Sequence, residues 1–373
     1  MIDGIIGTIV TIVLFFTILG SLVVVHEVGH FVTARLAKVR VLEFGIGFPP
    51  RAKVMRASGE TLYTLNWLPI GGFVKLEGED GDDTNDPHSF ANASLPIRLV
   101  ILAAGVAMNL LAAFAIFFLI AWLVSPRVGI TAPIVEPGSP AEQAGLRSGD
   151  SIVSVNGRTY EFLELSEFSV LDDLRNRAGE TVTLGVTRAD GGTDELTVTL
   201  RSSEEIGEGR GALGIRVAEG QVSFPLLFTG SYAMNDPGAS LGVAASETIR
   251  WFTLILEGLG SLVSGFVADP GAPPPVQGPV GIATSIGQVW SEAGPIMTLY
   301  VAGILSANLA LVNALPFPPL DGGRALVIVL KSIFGRRISL QAERLTYFVG
   351  FAFLMAFLLW VTVFDVLRGG SPP

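Results

Sequence analysis

The sequence predicts a multi-pass α-helical membrane protein: four transmembrane helices, a small membrane-associated β-hairpin element and an extracytoplasmic α+β domain. Three observations predict it. Half of the 373 residues are apolar and only 16% are charged, with a mean hydropathy of +0.56, a balance foreign to soluble domains. Four segments carry the roughly 20 apolar residues that a bilayer core of about 30 Å requires. Lys and Arg concentrate in two of the connecting loops, which places both loops on the cytoplasmic side.

The first span is Ile5–Val25, uncharged throughout, and its helix continues to about residue 40. It is no signal peptide, since Asp3 is its only early charge and no small-residue cleavage site follows. Residues 41–95 form a basic loop with Arg35, Lys38, Arg40, Arg51, Lys53, Arg56 and Lys75 in or beside it. Within it Thr61–Trp67 alternates like a strand and Pro69–Gly72 reads as a turn. The apolar Phe44-Gly-Ile-Gly-Phe48 suits a small sheet that dips toward the membrane. Residues 96–125 hold the second span, Ile97–Val124.

Residues 126–220 read as one α+β domain. Asp150–Gly157 is a strand closed by an Asn-Gly turn, and Glu180–Arg188 with Asp194–Leu200 forms a hairpin around Gly191-Gly192. Ser139–Gly145 is a short capped helix, and Leu165–Arg177 a longer one. Residues 221–290 read as an amphipathic helix over 237–266, interrupted by Glu247, Arg250 and Glu257, and a Pro-rich linker. A fifth crossing there would separate the two basic loops, so an interfacial helix is expected. Residues 291–323 carry the third span, about Ile296–Leu315. Residues 324–373 supply the second basic loop, with Arg324, Lys331, Arg336, Arg337 and Arg344, and the fourth span, about Leu345–Val366. With four spans both termini and the 126–220 domain lie outside the cytoplasm.

The chemistry is concentrated in His26-Glu27-Val28-Gly29-His30. On a helix this spacing stacks two imidazoles on one face, and the Glu beside them can act as base on a metal-bound water. Ionisable groups at membrane depth are costly and mark function. The chain has no cysteine and three histidines, so thiol chemistry is excluded and a metal must use His, Asp, Glu or water. A net charge of −10 argues against nucleic acid as a partner. A third ligand is needed. His88 sits in a polar loop and reads as a surface residue. Asp321, directly after span three, reaches the same membrane level as the histidines. The prolines Pro316, Pro318 and Pro319 before it force an extended backbone, tolerated at such depth only inside protein or beside a polar cavity.

These motifs, together with Asn313-x-x-Pro316-x-Pro318-x-Leu320-Asp321-Gly322 and Gly278-Pro-Val-Gly-Ile282, resemble the site-2 protease family of intramembrane zinc metalloproteases, in its bacterial branch that cleaves anti-sigma factors. The resemblance covers nearly the whole chain. It implies one Zn2+ per chain on His26, His30 and Asp321, with Glu27 as catalytic base. It also implies that Asn313, Pro316 and Pro318 shape the substrate site. The element around Gly45–Gly72 would take the substrate as an added strand. The outer domain looks like a circularly permuted PDZ domain, whose loop Gly211, Leu213, Gly214 and Ile215 would bind a peptide or protein C-terminus against the Leu165–Arg177 helix. Expected partners are single-span transmembrane substrates, such as anti-sigma factors or signal-peptide remnants, and the lipid bilayer of the cell membrane. The chain departs from the family in having room for one PDZ-like domain, and in Gly105-Val106 where Gly-Pro is usual ahead of Asn109. Two rival readings are a membrane-anchored zincin of protein quality control and a catalytically silent PDZ scaffold.

Overall fold

The computed structural model describes residues 2–79, 86–164, 169–206, 211–217, 225–269, 274, 276–334 and 340–367. The chain divides into two compact units, Met1–Phe117 with Ala245–Pro373, and Phe118–Ala244.

Helix α1 (Ile2–Leu36) runs unbroken through the His-Glu-x-x-His pattern, as its uninterrupted apolar sequence requires. It stops where Lys38 turns into the left-handed region at φ 61°. Strands β1 (Val41–Ser58) and β2 (Thr61–Leu76) follow. Each long run folds back on itself. Residues 43–46 pair on one side with 72–75 and on the other with 62–65, while 51–58 pair with 61–66. The result is a four-stranded mixed order, 51–58, 61–66, 43–46, 72–76, in which 43–46 runs parallel to 62–65 and the two outer pairings are antiparallel. The breaks fall at Pro49-Pro50, which cannot donate to a ladder, and at Gly71, whose φ of 76° suits only glycine. The expected hairpin is thus a sheet with two edges. Arg40 anchors its base through ion pairs to Glu60, Glu77 and Asp86. Helix α2 (Leu95–Leu123) completes this part of the chain.

The second unit is built on a six-stranded sheet in the order β10-β3-β6-β5-β7-β8. Its strands are β3 (Ser125–Thr131), β5 (Ser151–Val155), β6 (Arg158–Glu161), β7 (Thr181–Thr187), β8 (Thr193–Thr199) and β10 (Leu226–Ala233). A separate pair joins β4 (Ile134–Val135) to β9 (Ile215–Arg216). The Asn156-Gly157 turn, with φ of 49° and 78°, closes β5 onto β6 as the sequence predicts. Ser139 caps α3 (Pro140–Gln143). The longer helix is shorter than expected: α4 (Val170–Asn176) starts after Ser169, which forms a capping box with Asp172, and residues 165–168 of the predicted helix lie outside the described residues. Strand β10 comes from a stretch read as linker and helix. It pairs with β3, about a hundred residues earlier, and so leaves no local signature. Ile152, Val155, Leu184 and Val170 are wholly buried at the centre. Beside them Tyr160 donates to Asp173 at 2.7 Å, and burial and that carboxylate push the phenol pKa up.

The remaining helices are α5 (Pro237–Ala268), α6 (Pro279–Ala314), α7 (Asp321–Phe334) and α8 (Leu340–Leu367). Helix α6 begins some 17 residues before the span predicted from hydropathy. Pro279 at its first turn starts it, and a non-helical Gly294 (φ 79°) before Pro295 kinks it. Asp365 of α8 accepts the backbone N–H groups of Gly278 and Gly281 at 3.2 and 2.8 Å, satisfying donors that a helix N-terminus leaves open. Among the described residues five helices, rather than four, are long and apolar enough to cross a membrane: α1, α2, α5, α6 and α8. The fifth is α5, expected at the interface.

Candidate metal centre

The helical period places His26 and His30 on one face of α1, with ring centroids 4.7 Å apart. Their Nε2 atoms are 3.1 Å from each other. Asp321 Oδ2 lies 2.9 Å from the first and 3.2 Å from the second. A tetrahedral zinc ion with bonds of about 2.0–2.1 Å spaces its donors by about 3.3 Å, so the three atoms fit one ion with little adjustment. Among the described residues this is the single group of three or more such side chains able to hold a metal. His88 stands apart, exposed and beside Asp86.

Asp321 gets there by a tight reversal. Helix α6 ends at Ala314, the chain runs extended through the prolines, and α7 opens with Asp321 in its first turn, where a helix N-terminus favours a carboxylate. The next two residues must be glycine. A Cβ on Gly322 would strike the carbonyls of Ala314 and Leu315, and one on Gly323 the backbone of Phe317 and Pro318. Across the loop, Gly350 of α8 leaves room for the Pro318 carbonyl in the same way. Asn313 is half-buried in the last turn of α6, Pro318 is half-buried and Pro316 exposed.

Helix α2 forms the floor. Gly29 of α1 packs against the Ala104 carbonyl, and Gly105 lies under both imidazoles: a Cβ there would come within 2.5 Å of His30 Nε2 and 2.7 Å of His26 Nε2. Gly105→Ala is therefore expected to lower zinc affinity by tenfold or more while the chain still folds. Competition against a chromogenic chelator reads this, and unchanged affinity would mean that the imidazoles tolerate the shift. His30 Nδ1 donates to the Ile101 carbonyl at 2.8 Å, which turns its Nε2 toward the metal position. Asn109, wholly buried on α2, faces His26 Nδ1 at 3.3 Å.

Glu27 lines a cavity shared with His30, Asp321 and strand residues 72–76. Glu79 closes the cavity's rim. It accepts the Leu76 N–H at 3.2 Å and pairs with Arg324, one turn beyond Asp321. The sequence held no sign of this pair or of the Asn109 contact, because both depend on helices meeting from distant parts of the chain. Gly105 was legible only as the retained half of a family Gly-Pro pattern whose second residue is Val106 here.

The outer-domain loop is placed differently from His26, His30 and Asp321. Leu213 and Ile215 are buried in the hydrophobic core at 2% and 8% exposure, Gly214 has φ 83°, and Gly211 is half-buried. The neighbouring residues 207–210 lie outside the described residues.

Known proteins place the chain in a family. The model of peptidase family M50 matches residues 14–357. The zinc metalloprotease RasP of Geobacillus kaustophilus is 27% identical, over 97% of this chain and 99% of that protein. The regulator of sigma-W protease RasP of Bacillus subtilis is 28% identical, over 96% of this chain and 98% of that protein. With the matched model spanning both halves of the metal centre, the chain belongs to peptidase family M50, the site-2 protease family, and is a zinc metalloprotease with membrane-spanning helices.

Proposed function

We propose that the chain cuts peptide bonds within transmembrane segments of single-span substrates, with His26, His30 and Asp321 holding the zinc ion and Glu27 as base. The observation that carries this reading is the cavity in which Glu27 and the ligand group meet strand 72–76. Zinc bound there supplies activation of a water molecule and polarisation of the scissile carbonyl. Glu27 takes the water's proton and returns it to the leaving amine nitrogen. A transmembrane helix hides its peptide bonds in its own hydrogen bonds, so it must unwind to be cut. Among the described residues strand 72–76 pairs with 41–46 alone, and its other edge can accept the unwound segment as an added strand. Asn313, with Pro316 and Pro318, is assigned to hold that segment from the α6–α7 side.

The same reading keeps four crossings, with α5 lying along the bilayer. Glu247 of α5 accepts from Tyr300, whose ring is 5.3 Å from that of Phe117. Phe117 is about 24 Å along α2 from Ile101, the partner of His30, at about 1.5 Å per residue. At the other end of α5, Phe266 meets Trp360, close to Asp365 and far from Gly350 at the metal side. Both ends of α5 thus touch helices on the side away from the metal. The buried loop Gly211, Leu213, Gly214 and Ile215 is assigned to the PDZ-like domain that engages a protein C-terminus. An anti-sigma factor is the proposed substrate class, a reading supported by the likeness to the regulator of sigma-W protease of Bacillus subtilis.

The test uses the purified chain in liposomes with a single-span model substrate. Chelation should abolish cleavage, and stoichiometric zinc should restore it with one ion per chain. Cleavage that survives metal removal would refute the assignment. A metal-loaded chain that cuts only soluble, unfolded proteins would favour the quality-control zincin.

A further inference from the structure

The two imidazoles of the ligand group are oriented by different partners. His30 is settled: its Nδ1–H donates to the Ile101 carbonyl at 2.8 Å, a group that can only accept, so the Nε2 lone pair points at the metal position. His26 presents Nε2 to the same point, 2.9 Å from Asp321 Oδ2, and its Nδ1 faces the side-chain amide of Asn109. The amide nitrogen is the atom at 3.3 Å, while the amide oxygen is buried and has no hydrogen-bond partner among the described residues.

These two facts have one resolution. A His26 whose Nε2 lone pair binds a cation carries its proton on Nδ1, so an amide NH2 opposite it would set donor against donor. Nitrogen and oxygen of a side-chain amide have nearly the same shape. A half-turn of the Asn109 amide brings the orphaned oxygen to the Nδ1–H. The NH2 then occupies the place of the oxygen. The exchange is favourable because an N–H polarised by a bound cation is the stronger donor. Nothing else is free to move: Asn109 is 0% exposed, and its backbone carbonyl accepts the Ser306 hydroxyl of α6 at 2.8 Å.

We infer that Asn109 is a positioning residue for the metal centre, whose side-chain oxygen accepts the Nδ1–H of His26 and so fixes the tautomer and ring plane that present Nε2 to zinc. One imidazole is held by a main-chain carbonyl and the other by this amide. Orienting partners of this kind typically contribute 10–100-fold to metal affinity. The inference rests on His26 being a metal ligand.

The experiment is a zinc competition titration of the full-length chain in detergent, beside the visible spectrum of the cobalt-substituted form. Variants are Asn109→Ala, Asn109→Leu, Asn109→Asp and, as a control, His26→Ala. Thermal unfolding of each metal-free form checks the fold. Asn109→Ala and Asn109→Leu should weaken zinc about 10–100-fold and shift the cobalt bands, with metal-free unfolding unchanged for Leu, which fills the space. Asn109→Asp, which keeps an acceptor, should stay within about threefold of wild type. Wild-type affinity in Asn109→Leu, or an Asp variant as weak as the Leu variant, would overturn the inference. If His26→Ala itself left zinc affinity unchanged, the ligand assignment would fall instead, so the two failures are distinguishable.

Discussion

Glu27→Gln is expected to slow cleavage of a single-span substrate by about 10²–10⁴-fold while one zinc ion per chain remains bound. Glutamine keeps the shape of the side chain and removes its capacity to take a proton. Zinc should stay because Glu27 is not among the three donors that converge, which come from His26, His30 and Asp321. The side chain sits on the cavity side of α1, where a Cβ on Gly72 would come within 3.7 Å of its Cγ, so it faces the strand proposed to receive substrate. Two measurements on one preparation decide it: metal content by mass spectrometry and the single-turnover cleavage rate in liposomes. A variant that cuts at the wild-type rate would remove Glu27 from the role of base. One that has lost its zinc would make it a ligand.

Asp321→Ala is expected to fail one step earlier, at metal binding. Losing an orienting partner costs a metal site about 10–100-fold, and a direct ligand should cost more than that upper figure. Asp321→Glu separates charge from position. It restores the carboxylate but carries it about 1.5 Å further out, a bond length of displacement. The helix cannot retreat to compensate, because Gly322 and Gly323 are pressed against the backbone of Ala314 and Phe317. A misplacement near 1 Å can cost about a hundredfold in rate. The Glu variant should therefore retain partial zinc occupancy with cleavage reduced at least about that much. Metal titration and cleavage rates check both variants, and full activity in Asp321→Glu would show the α6–α7 reversal to be softer than its glycines imply.

The convergence of His26, His30 and Asp321 was legible because it is written in short motifs. His26-Glu27-x-x-His30 needs only the helical period, and Asp321 follows from its place after a span and its prolines. The turn at Asn156-Gly157 and the cap at Ser139 were equally local. What the sequence concealed was non-local. The fold-back of β1 and β2 into four strands depends on breaks at Pro49-Pro50 and Gly71, each of which also reads as an ordinary turn. Strand β10 finds its partner about a hundred residues away. The first half of α6, residues 279–293, is too polar for a hydropathy window yet helical, because Pro279 starts it and Asp365 satisfies its first N–H groups. Asn109 read from the sequence as a family asparagine retained in an apolar helix, with no role attached. Its meaning depends on how closely α1 and α2 approach, which Gly29 and Gly105 permit.

The second edge of the four-stranded sheet has its own consequence. Among the described residues strand 51–58 pairs with 61–66 alone, so its outer row of backbone groups must find water, which the hydrocarbon core does not supply. Around it Trp67 is 70% exposed and Leu68, Met55 and Phe48 about half, with Arg51, Lys53 and Arg56 interleaved. Such a mixture of rings and cations settles at the headgroup boundary. On the function proposed above, the sheet would be a float whose waterline is fixed at one edge while the other edge takes the substrate. Depth of cutting is then gauged from the near surface of the bilayer. In membranes of different thickness the cut should stay a constant number of residues from the substrate's near boundary and drift relative to its far one.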